Sequence, residues 1–97
     1  MIIETPYKVG DTVSFKLASG EEVVARLDKE DDSSYAIRKP MVLIVQADES
    51  MGLAPFMFSV LPDAKFNVQK GSVLCTAKTD PNIATQYTAS TSGLAVA

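Results

Sequence analysis

Apolar residues recur at every second position over two stretches of the chain. Val13, Phe15 and Leu17 alternate with Ser14 and Lys16, and Val23, Ala25 and Leu27 alternate with Arg26 and Asp28. A period of two sends successive side chains to opposite faces of an extended backbone, so these are two half-buried strands. Between them "ASGE" supplies a short turn in which Gly20 takes a positive φ at no steric cost, and the pair reads as a hairpin. The second strand runs into "DKEDDSS". Asp and Ser side chains there bond their own backbone and favour a second reversal, which starts a third strand near Ser34. The crowded carboxylates Asp28, Glu30, Asp31 and Asp32 therefore mark a hairpin tip.

The third strand, "YAIRKPMVLIVQ", contains Pro40, which has no N–H for a ladder and predicts a sharp bend. Beyond it Met41 to Val45 are apolar without alternation, so both faces of that half-strand need cover, one from the core and one from a second layer or a neighbouring subunit. After the polar loop "ADESMG", the stretch "LAPFMFSVLP" predicts another extended segment with Phe56, Phe58 and Val60 on one face. "PDAK" turns the chain, and "FNV" and "VLCTA" are short strands separated by "QKGS". Cys75 alternates with Val73 and Ala77, which predicts a buried, inert thiol. At the end the period changes to that of a helix. Asp80 is placed to cap it, Pro81 to open it and Gly93 to end it, with Ile83, Tyr87, Thr91 and Leu94 recurring on one side.

Composition narrows the function classes. A chain of 97 residues is one domain, 1–97, that buries only about two-thirds of its unfolded surface, so self-association is an expectation from the start. The apolar share of 46% and charged share of 22% are those of a folded protein. No signal-like segment is evident in "MIIETPYKVGD", and the lone cysteine has no internal partner. Both point to the cytoplasm. The longest apolar run, Met41 to Val45, is far below the roughly 20 residues that span a bilayer, so no membrane role is expected. The net charge of -3 has the wrong sign for binding nucleic acid by bulk electrostatics, so any such site must be local.

Histidine is absent, and no serine-nucleophile elbow, phosphate-binding loop or dinucleotide-binding turn occurs. No catalytic role, metal or cofactor is expected. Asp28, Glu30 and Asp32 match the first spacings of a calcium loop, but Ser33 stands where glycine is needed and Lys39 where the closing glutamate belongs. Binding remains. Arg38, Lys39 and Lys70 are basic residues at shaped points of the chain, and Tyr35 is either a core-edge residue or a platform on which a base stacks.

The run "LASGEEVVARLDKEDDSSY" resembles the first motif of the Sm-like (Lsm/Hfq) family, with Leu17, Gly20, Ala25, Leu27 and Asp31 at its positions. "QKGSVLCT" resembles the second motif, through Lys70 and Gly71 followed by Val73. The whole is most like the phage-encoded Sm-like proteins. The resemblance implies an all-β fold: a small, strongly bent five-stranded barrel of the Sm-like (SH3-type) kind over about 12–77, with a C-terminal helix and tail over about 80–97. It also implies a homomeric ring of five to seven subunits closed by edge strands, with single-stranded RNA bound at an inner rim and a role as an RNA chaperone. Carried onto this chain, the RNA site comprises Asp31, Ser33, Tyr35, Lys70 and Gly71. Tyr35 stands where the family has asparagine and Ser33 where it has its stacking residue, so stacking passes to Tyr35. The family's N-terminal helix has no counterpart in "TPYKVGD", which reads as extended. The alternative function is a structural or protein-interaction ring that binds no RNA.

Overall fold

Both reversals expected near Gly20 and Asp31 form, each through the local chemistry that the sequence supplies. The computed structural model of the protein describes residues 7–61 and 63–91. Strand β1 (Thr12–Leu17) turns at Gly20, whose φ of 107° suits glycine, into β2 (Glu22–Glu30). The carboxylate of Asp31 then accepts hydrogen bonds from the backbone N–H of Ser33 and Ser34, both at 2.9 Å, and β3 (Ser34–Val45) begins.

Strand β3 is twelve residues long and serves two partners on one edge. Its first half, Ser34 to Arg38, pairs with β5 (Lys65–Gln69), and its second half, Met41 to Val45, pairs with β4 (Met51–Pro55). Between the halves Lys39 adopts a φ of 53°. That left-handed residue, followed by a proline without a ladder donor, is the bend foreseen at Pro40. Strand β2 follows the bend with two irregularities of register, between Val24 and Arg26 and between Leu27 and Lys29.

Strand β6 (Val73–Lys78) adds to the free edge of β1, and a 3-10 turn over Lys70–Ser72 joins it to β5. All pairings are antiparallel, in the order β4-β3-β2-β1-β6 with β5 also on β3. The fold is thus a mainly antiparallel β-sheet with one helix, as the alternation predicted. It differs from the expected five-stranded barrel in two respects. There are six strands, because the distal half of β3 recruits β4 as a hairpin arm, and among the described residues β5 and β6 do not pair, so the sheet is not closed.

One face of the sheet carries the core: Val13, Phe15, Ala25, Leu27, Tyr35 and Ile37, flanked by Leu17, Phe66, Val68 and Val73. Burial of these side chains is the main source of stability, at about 1.5–3 kcal/mol for each large one. On the other face, helix α1 (Pro81–Thr91) is the second layer. Asp80 caps it as expected, its carboxylate accepting from the N–H of Asn82 at 2.9 Å and of Ile83 at 3.4 Å. Tyr87 is its buried residue, 1% exposed, while Ile83 is half-buried. Gly93 and Leu94 lie outside the described residues. Among the described residues no helix is long and apolar enough to cross a membrane.

Two further expectations are corrected. Cys75 is exposed rather than buried. The β1–β6 register shifts between Lys16 and Leu17, so Cys75 faces Lys16 while Leu17 pairs with Val73, and the alternation is interrupted. Val73 and Thr76 are half-buried, whereas Leu74, Cys75 and Ala77 are exposed. Strand β4 ends at Pro55, and the alternating Phe56, Phe58 and Val60 belong to a loop in which Phe58 is 84% exposed. Among the described residues the segment's link to a strand is the Phe56 N–H on the Pro40 carbonyl at 3.1 Å, and beyond it the period of two has no ladder to act on.

Candidate nucleic-acid interface

The two loops implied to form an RNA rim do meet. The backbone N–H of Lys70, at the start of the 3-10 turn, donates to the carbonyl of Ser33 at 2.9 Å. Antiparallel pairing of β3 with β5 runs from Tyr35 opposite Val68 to Ser34 opposite Gln69, which delivers Lys70 and Gly71 beside the turn opened by Asp31. All five candidate residues, Asp31, Ser33, Tyr35, Lys70 and Gly71, therefore lie at one end of the sheet.

Their side chains are nevertheless engaged with the protein itself. The Lys70 ammonium donates to the Glu30 carboxylate at 2.7 Å and stands 5.0 Å from the centre of the Tyr35 ring. The Glu30 hydrogen bond, ahead of its charge, holds the Lys70 pKa above its ordinary value. Tyr35 is 7% exposed, with its edge against Phe15 at a centroid distance of 4.9 Å. Its hydroxyl accepts from Thr76 Oγ1 at 3.1 Å. Asp31 is held below the usual carboxylate range chiefly by the two backbone N–H groups of its turn. Of the two roles open to Tyr35, the structure places it in that of a core residue, in phase with Ile37 two residues on.

Tyr7 completes the cluster and was not singled out from the sequence. Burial first, then hydrogen bonds to Tyr35 and Glu30, push its phenol well above the ordinary tyrosine value. Nothing in the local pattern of "TPYKVGD" marks this, because the partners lie 23 and 28 residues along the chain. Tyr7, Glu30, Tyr35, Lys70 and Thr76 thus form a network of satisfied polar groups on the edge of the core. Such a network fixes the two loops against each other. Within it the Tyr35 ring is buried and the Lys70 ammonium is paired with Glu30.

Two of the carboxylates at the tip are ion-paired. Asp28 pairs with Arg38 at 2.8 Å and Glu30 with Lys70. Among the described residues, no group of three or more histidine, cysteine or acidic residues is arranged to hold a metal ion.

Apolar surface gathers elsewhere. The β3–β4 arm exposes Ile44, Val45 and Met51, and the loop after it exposes Met57, Phe58 and Leu61. Between that loop, the bend of β3 and the end of α1 lies a groove of about 560 Å3, with Pro40, Met41, Pro55, Phe58 and Phe66 in its walls. The chain matches no protein-family model and no curated protein.

Proposed function

We propose that the chain is a protein-interaction module that assembles with copies of itself into a closed ring of Sm-like type and binds no RNA at the loop end. The observation that carries this reading is the apolar arm and loop: Val45 is 64% exposed, Phe58 84% and Leu61 73%. Solvent-exposed side chains of this size, on the arm and on the loop that follows it beside an apolar groove, support an interface rather than a free monomer. The occupant proposed for the groove is a second copy, whose own arm supplies matching apolar groups.

Strand topology supports the same reading. Strands β4, β5 and β6 each have one edge without a partner among the described residues, and edges of this kind are ready to pair between subunits. The sharp bend at Lys39 and the continuous order β5-β3-β2-β1-β6 support the resemblance to a bent Sm-like barrel. In that arrangement β4 is an added arm. The RNA reading is favoured by one observation, the junction of Lys70 with Ser33, and opposed by the burial of Tyr35 and the pairing of Lys70.

Sedimentation velocity of the wild-type chain and of Val45→Glu and Phe58→Glu tests the assembly. A discrete oligomer that both substitutions shift towards smaller species supports it. An oligomer untouched by either substitution, or a wild-type monomer at micromolar concentration, removes the arm and loop from the interface.

A further inference from the structure

Arg26 and Arg38 are direct partners across the β2–β3 ladder. Like charges directly opposite each other destabilise a sheet unless their charge is offset by a nearby anion. Arg38 has such an anion in Asp28, its Nε donating to Oδ1 at 2.8 Å. Lys39, at the left-handed bend, donates from Nζ to the Thr91 carbonyl at 2.9 Å, at the C-terminal end of α1. Arg26 has neither. Among the described residues no carboxylate pairs with it, and its Nε is buried without a hydrogen-bond partner in the protein. A buried donor on a charged group is costly to leave unmatched.

The three cations line one cleft between the sheet and the helix, closed on the helix side by Tyr87, Thr88 and Thr91 and with a volume of about 250 Å3. A water molecule takes up about 30 Å3 in the liquid, so the cleft has room for a phosphoryl group carrying a small substituent but not for a peptide or a polynucleotide chain. Guanidinium groups match phosphate oxygens in a planar, two-pronged geometry. Thr88, a hydroxyl-bearing residue, lines the opposite wall. Cationic excess at this point stands against a chain whose net charge is -3, so it is a local feature.

We propose that the cleft between β2, β3 and α1 is a binding site for a small phosphorylated ligand, held by Arg26 and Arg38 on the sheet and Thr88 on the helix. The site does not depend on the assembly reading, because its six lining residues all belong to one chain.

Titration of the full chain with inorganic phosphate and, separately, with ribose 5-phosphate, followed through the backbone amide resonances of Arg26, Lys39 and Thr88, tests the site at constant ionic strength. Saturable shifts with either probe are expected, and their ratio tells whether free phosphate or a sugar phosphate is preferred. Arg26→Gln should weaken the response at least about tenfold, as loss of a charged hydrogen bond implies. Thr88→Asp places a carboxylate on the cleft wall. It should raise the melting temperature in phosphate-free buffer and abolish the phosphate response, and it carries the test should Arg26→Gln fail to fold. Shifts that never saturate, shifts equal in the wild type and in Arg26→Gln, or a Thr88→Asp chain that titrates like the wild type overturn the proposal. A response to oligonucleotide but to neither small phosphate also overturns it.

Discussion

Replacing Tyr87 by phenylalanine deletes one hydroxyl at the point where the helix meets the bend of the sheet. That hydroxyl donates to the carbonyls of Lys39 at 2.8 Å and Arg38 at 3.1 Å, at the left-handed bend of β3. Loss of the bond costs about 1 kcal/mol net, within the usual 0.5–1.5 kcal/mol for a hydrogen bond. In a domain of this size 1 kcal/mol moves the melting temperature by about 4–8 °C, so Tyr87→Phe should melt about 5 °C below the wild type. Tyr87→Ala also removes a ring that is 1% exposed, at a total cost of about 3–5 kcal/mol. The eleven residues of α1 are too few to be helical in isolation, so that variant should lose helix signal before the sheet melts. Circular dichroism at fixed protomer concentration reads both effects, since the proposed assembly would make the midpoint concentration-dependent. A Tyr87→Phe midpoint equal to the wild type, together with a Tyr87→Ala midpoint within about 2 °C of it, would show that the helix is not docked through this residue.

Tyr35→Ala should cost about 3–5 kcal/mol in a denaturant melt because Tyr35 is part of the core, whereas an exposed base platform would tolerate the change. The folded pKa of Asp31 lies below its unfolded value, so its contribution to stability is complete above about pH 4 and is lost as pH falls through the depressed folded value. Acid titration of the melting midpoint should accordingly show a shallower acid limb for Asp31→Asn than for the wild type. Cys75 should react with an aromatic disulfide reagent in the native protein at nearly the rate seen in denaturant, because its side chain is exposed; strong protection would restore the buried reading or place Cys75 under a neighbouring subunit.

What could be read from the sequence is what short-range chemistry decides. The turn at Gly20, the Asp31 turn and the Asp80 cap each join a side chain or a conformation to backbone within a few residues, and all three form. Tyr87 emerged as the docking residue because it lies at helical spacing from Ile83. The exposure of Cys75 was not legible, since one shift of register between β1 and β6 interrupts the alternation without leaving a mark in composition. Phe58 alternates like a strand residue yet has no strand beside it, a property of tertiary pairing alone. Continuation of the Tyr35 and Ile37 alternation onto the core face was a usable sign that Tyr35 is buried. Its bonds to Tyr7 and Thr76 join chain segments too far apart for any local pattern to show.

Native mass measurement at micromolar concentration, with and without a short oligo-U, separates the proposed ring from a monomer and from an RNA-binding oligomer. A single closed homo-oligomer of five to seven copies of the 10.4 kDa chain is expected, with a mass unchanged by the oligonucleotide. A lone species at 10.4 kDa contradicts the assembly, and an oligomer that gains the mass of the oligonucleotide contradicts the absence of RNA binding.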